Sequence, residues 1–202
     1  MLLQLIPFLT ASILLTLSPG PDNIYVLVQS ISNGKKAGIV TTLGLVSGIL
    51  IHTSLVAFGV SAVIKASPVL FTLIKVFGAL YLFYLAYKVF KSDSTIAIKG
   101  VPEKSSGSLF RQGFIMNVLN PKVTIFFLAF FPGFLWEPEG NTILQFYLLG
   151  FLFMIQALLI FGAVALLAGK ISEYLMQHRR SGDFLKWIQV VVFIGIGILI
   201  LL

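Results

Sequence analysis

The chain has 202 residues, of which 58% are hydrophobic and 10% charged, and its mean hydropathy is +1.02. A soluble domain of this length leaves too much surface in water for that composition, and ordinary soluble domains are about 25% charged, so a water-soluble globular fold is excluded. The lack of cysteine excludes disulfides and thiolate metal sites, and the +7 formal charge lies between apolar runs, where it reads as positive-inside bias rather than as a nucleic-acid surface.

A bilayer core of about 30 Å needs about 20 apolar residues as helix. Residues 1–8 carry no Lys or Arg, so they lack the basic start of a signal peptide, and the first run reads as a retained helix. It covers residues 2–28 and is interrupted at Ser18-Pro19-Gly20-Pro21-Asp22. Residues 39–64 and 68–89 form the second and third runs. The fourth covers 113–136, interrupted at Asn120-Pro121-Lys122, and 143–167 and 184–202 are the fifth and sixth. Strands of a membrane barrel alternate apolar and polar residues. Residues 190–194, Val-Val-Val-Phe-Ile, do not. The expected fold is therefore an all-α polytopic membrane protein with six transmembrane helices, helices 1 and 4 being broken at proline.

The cations set an expected orientation. Lys35 and Lys36 fall between runs 1 and 2. Lys88, Lys91, Lys99, Lys104 and Arg111 fall around the connection between runs 3 and 4, and Lys170, Arg179, Arg180 and Lys186 around that between runs 5 and 6. These eleven of the fourteen Lys and Arg share one side, which the positive-inside rule makes cytoplasmic. Lys65 and Lys75 fall on the other side, with Glu137 and Glu139, and both termini are expected outside. Trp136 and Trp187 read as interface anchors. Residues 92–112 read as a flexible cytoplasmic linker between two halves, 1–91 and 113–202. Each half begins with a proline-broken helix, and three helices per half give opposite polarity, the arrangement of inverted-repeat transporters. One feature resists a strict two-fold axis: Asp22 lies late in helix 1 and Lys122 early in helix 4, so both fall toward the cytoplasmic side.

The two breaks carry the candidate chemistry. Proline removes an amide donor and clashes with the preceding turn, so Pro19, Gly20, Pro21 and Pro121 leave carbonyls without helical partners. Within a bilayer that is tolerated only where protein or a watery cavity satisfies them. Asp22 beside the first break either faces a solute or caps the next helical segment. Asn23, Asn117 and Asn120 can donate and accept across helices. Lys122 either lines the pathway or snorkels to the interface. An amino-acid zwitterion needs one anionic and one cationic partner, so Asp22 can face its ammonium and Lys122 its carboxylate, the two pairing with each other when the site is empty. His52 lies in mid-helix and can relay protons or bond a neighbouring helix. Gly44 and Gly48, one turn apart, read as helix packing, as do Gly195 and Gly197. Tyr81, Tyr84 and Tyr87 share one face and read as packing and interface anchoring rather than ligand stacking, and Gln156 is a weaker pathway candidate. With no Gly-x-Ser-x-Gly elbow, P-loop or His-Glu-x-x-His, no catalytic residue, metal or cofactor is expected, and His178 reads as solvated.

Several of these motifs, in order along the chain, resemble the lysine exporter family, closest to its homoserine, threonine and leucine efflux branch. They are Ser18-Pro19-Gly20-Pro21-Asp22-Asn23, Asn33-Gly34-Lys35-Lys36-Ala37-Gly38, Gly44-x-x-x-Gly48-x-x-x-His52, Gly78-Ala79-Leu80-Tyr81-Leu82 and Gly113-Phe114 leading to Asn117-x-x-Asn120-Pro121-Lys122. The resemblance implies export of amino acids and related metabolites across a bacterial inner membrane, driven by the proton motive force. The expected function is a secondary transporter, with Asp22 first and His52 second for proton coupling and an amino acid, protons and lipid as partners. Oligomeric state stays open, a homodimer included. A small-solute channel and an accessory subunit of a membrane complex are the alternatives.

Overall fold

The computed structural model describes residues 2–93, 101–178 and 181–202. Lys99, Arg179 and Arg180, three of the cations used above for orientation, lie outside them, as do Ser94 and Gly100 of the expected linker. Among the described residues the chain is all helix: α1 (Leu2–Leu17), α2 (Pro21–Ser54), α3 (Ser61–Ala66), α4 (Pro68–Lys91), α5 (Ser106–Val118), α6 (Pro121–Ile125), α7 (Thr142–Leu166), α8 (Ala168–Gln177) and α9 (Ser181–Leu201). Wider π turns at Leu55–Val60 and Phe126–Phe130 and a tight 3-10 turn at Phe131–Phe134 complete it.

Four stretches are long and apolar enough to cross a bilayer: Pro21–Ile64, Pro68–Lys91, Thr142–Leu166 and Ser181–Leu201. The pair Ser106–Val118 and Pro121–Phe134, bent by 47° at its break, makes a fifth. The chain is thus a multi-pass membrane protein, and its many exposed leucine, valine and phenylalanine side chains, such as Leu159, Val191 and Phe77, need lipid rather than water around them.

The start of α5 lies inside the segment read from the sequence as linker. Ser105 is extended and its side chain accepts a hydrogen bond from the Ser108 amide, a serine N-cap that starts a helix whatever its polarity. In α2, Gly34 adopts φ 84° and ψ 165°, a region open almost only to glycine. The chain folds back there into two arms, residues 21–33 and 35–54, and Gly38 of the second lies directly against Ser30 of the first. The exposed Lys35 and Lys36 follow this turn.

The core is built between elements from opposite ends of the chain. α2 packs chiefly on α5 and α7, and α4 on α9. The α2–α5 crossing is a backbone contact. A methyl added to Gly44 would meet the Phe110 carbonyl, and one added to Gly113 would meet the Thr41 carbonyl. Gly48 lies against the Asn117 side chain, Gly150 against Thr53 and Gly197 against Phe83. Beside the second break, Phe126, Phe127, Phe131 and Phe153 pack as an aromatic cluster, Phe127 and Phe131 stacked at 4.0 Å. Its geometry follows from the π turn, in which the Phe131 amide reaches back to Phe126.

Because the atoms opposing Gly113 are backbone and cannot move aside, Gly113→Leu is expected to cost at least about 1–3 kcal/mol by overpacking and to lower the thermal midpoint of the purified protein in detergent. Gly162→Ala, with open space around it, should leave that midpoint unchanged or slightly raised.

Candidate functional site

The two breaks meet. At the first, α1 ends at Leu17 and α2 begins at Pro21, with Gly20 extended between them (φ −152°, ψ −178°). At the second, α5 gives way at Leu119 to Asn120, which caps α6 by accepting from the Lys122 amide at 3.0 Å. The other end of the same Asn120 side chain donates to Asp22 Oδ2 at 2.6 Å. One asparagine therefore holds the start of α6 and the carboxylate of the other break together.

Lys122 is buried, and its ammonium does not reach out to an interface. It donates to the Leu15 carbonyl and the Ser18 carbonyl, each at 3.2 Å. Proline at 19 deprives the Leu15 carbonyl, four residues earlier, of its helical donor, so Lys122 supplies what Pro19 removes. It also places a cation at the C-terminal end of α1, where the helix dipole favours one. Gly20 leaves the space: a side chain there would begin 3.3 Å from the lysine nitrogen. Asn23 completes the cap, its amide donating to the Thr16 carbonyl at 2.9 Å and the Ser18 carbonyl at 3.3 Å.

Asp22 is 4% exposed and lies in the first turn of α2, where the helix N-terminus favours an anion. Asp22 and Lys122 each have partners of their own and form no ion pair within 4.0 Å. Asp22 Oδ1 is buried and has no hydrogen-bond partner. Around the same break the hydroxyls of Ser12 and Ser18 and the Gln156 carbonyl oxygen are buried and unpartnered, while the Gln156 amide donates to the Thr16 hydroxyl at 2.9 Å. Buried polar atoms without partners are rare in proteins, and these four leave the first break with unused capacity to bond a polar solute or water.

His52 is fully enclosed and bonds the Asn117 carbonyl through Nε2 at 3.0 Å. The structure thus brings Asp22, Asn23, Asn120 and Lys122 to one junction, with Pro19, Gly20, Pro21 and Pro121 forming its backbone. Asn117 stands one turn back along α5, with His52 of α2 against it. Gly44 and Gly48 lie on the α2 face that meets α5. Tyr84, Tyr87 and His178 are exposed. Sequence reasoning passed over Ser12, Thr16 and the Leu15 and Ser18 carbonyls. A polar residue every fourth position in an apolar helix, as at Ser12 and Thr16, was the available signal.

Comparison with known proteins identifies the family. The model of the LysE type translocator matches residues 13–202. The chain is 27% identical over 190 residues to the leucine efflux proteins of Salmonella choleraesuis (strain SC-B67) and Salmonella typhimurium (strain LT2), covering 93% of this chain and 90% of theirs. It is 29% identical to the uncharacterized membrane protein YrhP of Bacillus subtilis (strain 168), over 96% of this chain and 97% of that one. No solved structure matches. With both proline breaks inside a match that runs nearly end to end, the chain belongs to the LysE type translocator family, whose members are transporters rather than enzymes.

Proposed function

We propose that this protein is a secondary transporter that exports amino acids or closely related metabolites from the cytoplasm, by proton antiport, across the inner (cytoplasmic) membrane. The observation that carries the reading is the buried, half-satisfied Asp22 carboxylate at the junction of the two proline breaks. The efflux function named for the Salmonella relatives supports it.

The ligand set suits a zwitterion. Asp22 Oδ1 is the acceptor for the substrate ammonium. An ammonium has three protons to donate, and Lys122 uses two of them on the Leu15 and Ser18 carbonyls, which leaves one for the substrate carboxylate. Asn23 and Asn120 hold the two breaks, Pro19, Gly20, Pro21 and Pro121 keep their backbone open, and Asn117 lines the approach. Asp22 carries the exchanged proton when no substrate occupies it.

Six spans follow when α1 and the first arm of α2 are counted as one broken helix and the second arm, from residue 35, as the next. α4, the bent pair α5–α6, α7 and α9 supply the other four. This gives two inverted three-helix halves, each opened by a broken helix, with the basic connections cytoplasmic and both termini outside.

Efflux from cells loaded with dipeptides tests the function. Wild type is expected to release a subset of amino acids, and collapse of the proton gradient should stop it. Asp22→Asn at equal membrane abundance should lose at least about tenfold, the worth of one charge-assisted hydrogen bond of ~1.5–3 kcal/mol. Asn120→Ala should lose less while costing about 1 kcal/mol of stability as a helix cap. Efflux by Asp22→Asn at the wild-type rate would remove the carboxylate from the mechanism.

The natural lack of cysteine allows a clean test of orientation. A cysteine at Lys36 should react with an impermeant maleimide only after the membrane is opened, and one at Glu139 should react in intact cells. The reverse labelling pattern would invert the orientation.

A further inference from the structure

A proline at position 121 removes the amide that would have bonded the carbonyl of Asn117, four residues earlier. The Asn120 amide closes a tighter turn onto that carbonyl at 2.9 Å, and a carbonyl oxygen has room for two donors. The second is His52 Nε2, at 3.0 Å from a different helix. A carbonyl has no proton to give, so Nε2 is the donor and carries the hydrogen. The other ring nitrogen, Nδ1, is buried without a partner, and the ring lies against Phe127 at 5.6 Å. A relay needs a partner at each nitrogen to receive and pass on the proton, whereas a fixed donor needs only one. Lys122 does for the carbonyl exposed by Pro19 what His52 does for the one exposed by Pro121.

We propose that His52 is a positioning residue: it anchors the Asn117 carbonyl and, through it, the turn whose Asn120 side chain holds Asp22. This inference rests on the reading of Asp22 as the substrate-facing carboxylate. The linkage is short. His52 fixes the Asn117 carbonyl, the Asn120 amide bonds the same oxygen, and Asn120 Nδ2 donates to Asp22 Oδ2 at 2.6 Å. Gly48, which lies against the Asn117 side chain, lets the two helices come close enough for the imidazole to span the gap.

Two neutral amides separate this role from proton relay and from simple loss of packing. Glutamine places its side-chain nitrogen about where Nε2 lies, and asparagine is one carbon too short. Hydrogen-exchange mass spectrometry on residues 115–122 of the purified protein is the first readout, and the amino-acid concentration for half-maximal efflux, with its pH profile, the second. His52→Asn is expected to speed exchange of the Leu119 and Asn120 amides about fivefold, the effect of losing one buried hydrogen bond. It should also raise the half-maximal concentration more than it lowers the saturated rate. His52→Gln should restore both and keep the wild-type pH profile.

Exchange unchanged in His52→Asn would overturn the proposal, as would a His52→Gln variant that is as impaired as His52→Asn with a flattened pH profile. If the exchange contrast appears but wild type exports no amino acid, the transport reading falls and the anchoring of the turn stands. If wild type exports and the exchange contrast is absent, the anchoring falls alone.

Discussion

A backbone carbonyl within a bilayer has no water to turn to, and leaving it unpaired costs several kcal/mol. Two prolines create that debt at fixed places, Leu15 ahead of Pro19 and Asn117 ahead of Pro121. Short-range structure meets only part of it. The remaining donors come from Lys122, 107 residues away from Leu15, and His52, 65 residues away from Asn117. A feature that looks local, a helix broken by proline, therefore dictates which distant segments must touch. The polar junction and the packing of the two broken segments against each other are one solution to one constraint.

That solution needs the helices very close together, which explains where the glycines fall. The second arm of α2 and α5 cross at Gly44 and Gly113 with backbone against backbone, and the same approach brings His52 to Asn117. Gly20 has the matching role at the other break, because any side chain there would press on the Lys122 ammonium. On the far side of α6 the packing changes character. Phe126, Phe127, Phe131 and Phe153 form a stiff aromatic wall, so the junction is soft and polar on one flank and rigid and apolar on the other.

Much of this was legible in the sequence because its signals are local. The apolar runs, the two proline interruptions and the cations between runs depend on residues near one another, and the spans at Pro68–Lys91, Thr142–Leu166 and Ser181–Leu201 fall close to where hydropathy puts them. The start of α5 was not legible. Of the seven residues before Gly113, five are polar or small and look like linker, and the serine cap at Ser105 starts the helix there. The π and 3-10 turns at residues 126–134 were hidden by uniform apolarity, which carries no periodicity to interrupt. At the site, residue types identified the members: Asp22, Asn120 and Lys122 stand out as polar in apolar runs. Their partners did not follow, since the choice between a carboxylate and a carbonyl for Lys122 is a matter of ångströms in a fold whose contacts are mostly long-range.

That choice has a physical consequence for a binding site. Two opposite charges that pair directly in a low-dielectric interior hold each other tightly, and a zwitterion entering between them must first separate them. Here each charge is stabilised by a helix end of the sign that suits it, Lys122 by the carbonyl end of α1 and Asp22 by the amide end of α2, with Asn120 as a neutral brace. Both stay buried in the protein without closing on each other. On the proposed reading, a substrate gains the unused capacity of each, one carboxylate oxygen and one ammonium proton, and loses little by displacing partners. Helix ends hold the charges apart, and on the same proposed reading a movement of either broken helix would change their spacing, so the breaks that carry the site would also make its affinity depend on which side of the membrane it faces.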